Sequence, residues 1–191
     1  MGGSATVEGD IDLAHVAVAF GSGGASAADA SAMSVLEHLL GGSVAPLGGL
    51  GGTATSRLNV NVDAKNDWVY SVSAFNAAYS DAGLVGAHGT VSIENSTRFV
   101  DAVVAELEAI AAGGVSAEEA SRASAKAQAA FALSCETKSG LMEAAGAQLS
   151  AGLSMTSVGG RLAELNAVGA GELQAAAKTL LATTPSIAVV G

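Results

Sequence analysis

The sequence holds one cysteine, two prolines, one tryptophan and only eight basic residues, and each scarcity excludes something. A single Cys135 cannot close an intrachain disulfide or supply a thiolate metal cluster. In its Ala-rich surroundings it is expected as a buried, small apolar side chain. Eight Lys and Arg against eighteen Asp and Glu give a formal charge of −10 and a pI near 4.5. That balance argues against binding to nucleic-acid phosphates. Acidity keeps an Ala-rich surface soluble and leaves cationic partners open.

Unbroken apolar runs are missing too, although the hydrophobic fraction is 50% and the mean hydropathy +0.44. The longest uncharged stretch, between Glu37 and Arg57, is dense in Gly, Ser and Thr and carries Pro46. The next, between Glu143 and Arg161, is interrupted by Gly146, Gly152 and several hydroxyl residues. Neither can form a stable apolar spanning helix, so no transmembrane segment is expected. The opening MGGSATVEGD lacks the basic and apolar blocks of a targeting peptide, as would a processed precursor.

Catalytic signatures are also lacking. His15, His38 and His88 have no second ligand at zinc spacing, and neither His-Glu-x-x-His nor its inverse occurs. There is no Gly-x-Ser-x-Gly elbow and no phosphate-binding Gly-Lys-Ser/Thr. Glu106, Glu108, Glu118 and Glu119 fall on predicted helix exteriors or caps, which gives no support to paired-carboxylate chemistry. The chain is therefore expected to carry no catalytic residue, no metal ligand and no cofactor of its own.

What is present is an organised alternation. From Asp67 to Ala74, Trp68, Tyr70, Val72 and Ala74 fall on one face and Val69, Ser71 and Ser73 on the other, the period of a half-buried strand. Ser80-Asp81-Ala82-Gly83 supplies turn chemistry before Val85, Ala87, Val91 and Ile93 resume period two. Phe75 breaks the parity, which predicts a bulge or a second buried face near it. This hairpin is expected in the middle of the sheet.

Upstream, Met1 to Asp10 reads as a flexible lead-in, and Ile11 to Phe20 as a strand broken by Gly21 to Gly24. Ser26 or Asp29 can cap a helix with Ala32, Val35, Leu36 and Leu39 on one face, ended by Gly41 and Gly42. Downstream, Ser96 can cap a helix with a stripe of Val100, Val103, Leu107 and Ile110, closed by Gly113 and Gly114. Ser116 and Glu119 are spaced as a capping box for the next helix, to about Glu136. Further helices are expected over Leu141–Leu149, Ser157–Asn166 and Glu172–Leu181, and Ile187–Val190 reads as a closing edge strand after Pro185. The order indicates an α+β fold, a mostly antiparallel sheet with helices layered on one face. A length of 191 residues suits one core, so residues 11–191 are expected as a single domain.

Between Gly41 and Thr55 the run GGSVAPLGGLGGTAT is too rich in Gly and Pro for a regular element. It reads either as a flap beside a binding surface or as a plain surface excursion.

Several blocks carry a family likeness: SVSAFNAAYSDAGLVGAH, the SVLEHLLGG that precedes the Gly-rich run with TSRL after it, GGVSAEEASRASAKAQ, and the ending AAAKTLLATTPSIAVVG. Together they resemble the C-terminal half of the pitrilysin-type (M16) family, in particular the branch that holds mitochondrial processing peptidase subunits and cytochrome bc1 core proteins. The likeness runs from about Leu13 to Gly191. It implies an antiparallel sheet with helices on one face, and a zinc motif, where a member has one, in the other half.

In active relatives an Arg and a Tyr hold the substrate backbone. Tyr70 fits the Tyr, while Asp63, seven residues earlier, stands where the Arg is expected. Gly48, Gly49, Gly51 and Gly52 resemble the screening loop of the processing peptidase α subunit. With Tyr70 they are the candidate contacts to substrate or partner.

The favoured implication is a non-catalytic core subunit on the matrix side of the mitochondrial inner membrane, within the cytochrome bc1 complex. Its partners would be an N-terminal M16-type half and a second core subunit. The alternative is half of a split zinc peptidase that receives basic presequence peptides, with the negative charge as electrostatic attraction. A piece of an intact bacterial-type peptidase chain stays open as a third.

Overall fold

A computed structural model describes residues 2–9, 12–42 and 55–191. Five strands, β1 (Ser4–Val7), β2 (Leu13–Gly23), β3 (Val69–Ala78), β4 (Ala82–Ser92) and β5 (Ser186–Val190), form one sheet in the order β1-β5-β2-β4-β3. β1 and β5 run parallel; the other three pairings are antiparallel. Among the described residues six α-helices accompany them: α1 (Ala30–Leu40), α2 (Ser96–Ala111), α3 (Ala117–Ser134), α4 (Lys138–Ser150), α5 (Val158–Asn166) and α6 (Ala170–Leu181).

The core lies between one sheet face and an inner layer of α1, α2 and α6; α3 and α5 form an outer layer against α1. β2 sends Ala14, Val16, Val18 and Phe20 inward, every second residue along the strand. α1 answers with Ala32, Val35, Leu36 and Leu39, α2 with Phe99, Val103, Leu107 and Ile110, and α6 with Leu173, Ala176, Ala177 and Leu180. Each of these large side chains contributes roughly 1.5–3 kcal/mol by leaving water. In α2 the stripe begins at Phe99, because Val100 points only partly inward. Phe99 needs Gly89 beneath it: a Cβ on Gly89 would stand 2.6 Å from the Phe99 ring carbons.

Several expectations change. The hairpin β3–β4 is real but lies at one side of the sheet, with β3 as the edge; β2 is the central strand. The bulge sits at Tyr70, where the register shifts between Val69 and Ser71, rather than at Phe75. That extra residue puts Val69, Val72 and Ala74 on the buried face and turns Tyr70 outward, 61% exposed. β2 continues through Gly21 to Gly23 because β4 pairs with it along its whole length.

β5 is not an edge strand. It pairs with β2 on one side and with β1 on the other, and β1 forms where the flexible lead-in was expected. Uncharged Ser4–Val7 has no inward face to signal a strand; its order comes from the ladder to β5. Cys135 is half-buried at the C-terminal cap of α3 rather than in the core.

α4 is the exception among the helices. None of its residues is buried, and Leu141, Met142 and Leu149 are exposed.

Candidate functional site

Of the candidate contacts, Gly48, Gly49, Gly51 and Gly52 lie outside the described residues. Tyr70 stands exposed on the edge strand β3, and Asp63 closes a short π-type turn at Asn59–Asp63. The residues flanking the Gly-rich run are closely apposed. α1 ends at Gly41, whose φ of 143° only glycine adopts readily. A Cβ on Gly41 would stand 2.9 Å from Ser56 Oγ. Gly42 bridges to Ala74 of β3, and the Gly41 carbonyl accepts from the Ala74 amide at 3.2 Å.

The other flank is held by charge. Arg57 donates to Glu119 through Nε (2.7 Å to Oε1) and Nη2 (2.9 Å to Oε2), and Nη2 also donates to the Gly114 carbonyl. Glu106 Oε2 lies 3.8 Å from Arg57 Nη1, a charge contact without a hydrogen bond. The hydrogen bonds from Arg57, and then its charge, hold the Glu119 carboxyl below the usual range, and Glu119 raises the pKa of Arg57 in return. The capping box expected at Ser116 is thereby halved. Ser116 Oγ accepts from the Glu119 amide at 3.1 Å, but the Glu119 carboxylate has gone to Arg57. The carboxylate half of such a box is found instead at Glu172, which accepts from the Gly169 amide at 3.0 Å.

Glu37 and His38 form a second titratable pair, near the end of α1. Burial alone pushes the Glu37 carboxyl up to about 7. Burial lowers His38, opposed by its hydrogen bond with the Gly42 backbone and aided by the charge of Lys126. Residue spacing did not single out Glu37, since a lone acid on a helix reads as solvated until its neighbours are known. Among the described residues no group of three His, Cys, Asp or Glu is placed to hold a metal ion.

The sheet face turned away from the helices is uncharged. His15, Ala17 and Ala19 of β2 lie beside Val190, Ala188 and Ser186 of β5 and beside Thr90, His88 and Gly86 of β4. Ser71, Ser73 and Phe75 of β3 continue these rows. No Asp, Glu, Lys or Arg occurs among them, although 14% of the chain is charged. His88 stacks obliquely on Phe75, ring centroids 6.3 Å apart.

The family profile described as the peptidase M16 inactive domain matches residues 4–127, which hold β1 to β4, α1, α2 and the first part of α3. The chain belongs to the peptidase M16 family. It is 30% identical over 190 residues to cytochrome b-c1 complex subunit 2, mitochondrial, of Mus musculus, covering all of this chain and 42% of that protein. The Neurospora crassa protein of the same name is 41% identical over 118 residues, 62% of this chain and 26% of the relative. An uncharacterized zinc protease of Streptomyces coelicolor is 30% identical over 143 residues, 74% of this chain and 31% of that protein.

Among solved structures, a chain of complex III2 from Candida albicans, Inz-5 bound, superposes with a TM-score of 0.85 at 14% identity, over the whole of this chain and 46% of that one. A protease from Helicobacter pylori gives 0.82 at 17% identity, over 98% of this chain and 44% of that one. The chain thus has the M16 half-molecule fold and spans less than half the length of the relatives it matches in full.

Proposed function

We propose that this M16 half serves as a non-catalytic, structural part of a core subunit of the mitochondrial cytochrome bc1 complex. The observation that carries the reading is the likeness to complex III subunit 2 along the entire chain. It is supported by surfaces that suit an assembly: the uncharged outer face of the sheet and a helix, α4, with no buried residue. In this reading the chain lies on the matrix side of the inner membrane as a peripheral wall. It meets an N-terminal M16-type half and a second core subunit. No helix among the described residues is long and apolar enough to cross a membrane.

The experiment is to recover the tagged chain from its native source under mild detergent and take the visible spectrum of what accompanies it. Haem b and haem c bands in constant ratio to the chain are the expected result. A chain recovered alone, without haem, overturns the reading.

The likeness to an uncharacterized zinc protease favours a second reading, half of a split peptidase whose partner brings the metal. Tyr70 and the Gly-rich run, with Gly48, Gly49, Gly51 and Gly52, would then touch basic presequence peptides, attracted by the −10 charge. Co-purification of a polypeptide bearing His-x-x-Glu-His, with cleavage of a presequence peptide that zinc chelation abolishes, would favour it over the first.

A further inference from the structure

A cavity of about 290 Å³ opens where α1, α3 and α5 meet, lined among others by Ser34, Glu37, Phe131, Ser134 and Arg161. Its polar inventory is unbalanced. Glu37 is half-buried, and among the described residues no hydrogen bond or ion pair reaches its carboxylate. Ser134 Oγ donates to the Phe131 carbonyl at 2.7 Å and lies 3.9 Å from Cys135 Sγ, with lone-pair capacity left for a further donor.

The cations nearby have other partners, although Arg161 itself lines the cavity. Arg161 Nη1 donates to Ser31 Oγ at 2.7 Å and to Glu164 Oε2 at 2.8 Å. Lys126 Nζ donates to Thr55 Oγ1 at 2.9 Å. His38, beside Glu37 on α1, is kept toward its neutral form by burial. Burial is the sole cause of the Glu37 shift, so none of these groups neutralises it. A half-buried acid with no ion pair among the described residues, on a void that hydroxyls also border, has room for a partner with several N–H donors and a positive charge.

We propose that this cavity receives the cationic tip of a lysine or arginine side chain from an adjoining polypeptide, with Glu37 as counter-charge and Ser34 and Ser134 as hydrogen-bond acceptors. The void is large enough for one such tip. It lies among the helices, on the side of the sheet opposite the uncharged face. Its occupant is therefore independent of whether that face meets a core subunit or a peptidase half. Binding transfers no bond and requires only that Glu37 be ionised. The guest stabilises the carboxylate, and by linkage the carboxylate favours the guest as pH rises.

The test uses the full chain with carboxyl-labelled glutamate, following the Glu37 resonance through a pH titration. It is run with methylguanidinium chloride, with a blocked Gly-Gly-Arg-Gly-Gly peptide, and with tetramethylammonium chloride at equal ionic strength. Tetramethylammonium carries the charge without N–H donors. The expected result is saturable peptide binding that lowers the Glu37 midpoint by about one pH unit from about 7, equivalent to about tenfold tighter binding to the ionised form.

Glu37→Gln removes the charge and keeps the void; Ala130→Leu fills the void and keeps the charge. Both should lose saturable binding, with the fold checked by circular dichroism. If both methylguanidinium and the peptide bind, the cation alone is the recognised group, and the proposal stands. Peptide binding without methylguanidinium binding also supports it and shows that backbone contacts are needed. The proposal is overturned by a free cation that binds where the peptide is excluded, by an equal response to tetramethylammonium, or by Ala130→Leu binding as well as the parent chain.

Discussion

Glu119 and Glu37 are two acids drawn out of water on either side of the Gly-rich run, and they meet opposite fates. Glu119, at the start of α3, is gripped by both arms of the Arg57 guanidinium. Glu37, near the end of α1, has no cation in contact among the described residues, and burial pushes its carboxyl up to about 7. Desolvation acts on both, and only the presence of a partner decides the sign of the shift. The first is a clamp that fixes Arg57 to α2 and α3. The second leaves the chain with a half-buried acid that weakens it at higher pH.

The largest expected effect breaks the clamp. Arg57→Met strands Glu119 and the half-buried Glu106 without their cation, which should cost on the order of 3 kcal/mol in urea unfolding at pH 7. A loss under about 0.5 kcal/mol would mean that water already does the work of Arg57. Next, Glu37→Gln should stabilise the chain at pH 8, on the order of 2 kcal/mol, and change little at pH 4. The sign follows from a folded pKa raised above the unfolded 4.5. The proton-bound form is favoured by folding, and its stabilisation is full below 4.5 and lost as pH rises through about 7.

Glu119 runs the other way. Its folded pKa is lowered, so its contribution is present above the unfolded value and lost as pH falls through the folded one. Ser116→Ala removes the hydroxyl that accepts from the Glu119 amide and should cost about 1 kcal/mol, measured as a lower Tm. The smallest effect belongs to an exposed pair. Glu118→Gln breaks the 2.6 Å contact to Arg122, and should shift stability by no more than about 0.5 kcal/mol, vanishing in high salt. If that variant rivalled Arg57→Met, the contrast between buried and exposed pairs would fail.

Much of the scaffold was legible. The inward face of α1 and the stop at Gly41 follow from period and from glycine at a positive φ. The helical order after α2 was legible from caps and breakers. The bulge was misplaced because Tyr70 is apolar enough to pass for a core residue in an alternating run. Its ring is outward only because Val69 and Ser71 are locked to Val91 and Thr90 on β4. β1 was unreadable as a strand because all four of its residues are exposed and its ladder partner lies at the far end of the chain. The uncharged sheet face and the cavity at Glu37 carried no local signal, because each is assembled from residues far apart in the chain.

By itself the sequence determined the periodicities, the breaks between elements, the acidity and the family, because these depend on neighbours within a few residues or on composition. Tertiary structure alone decided strand order, which edge stays open, and which acids have partners. Those outcomes join residues as distant as Ser4 and Ile187 or Arg57 and Glu119. Whether a buried carboxylate ends up beside a cation or beside an empty cavity is fixed only when the helices pack.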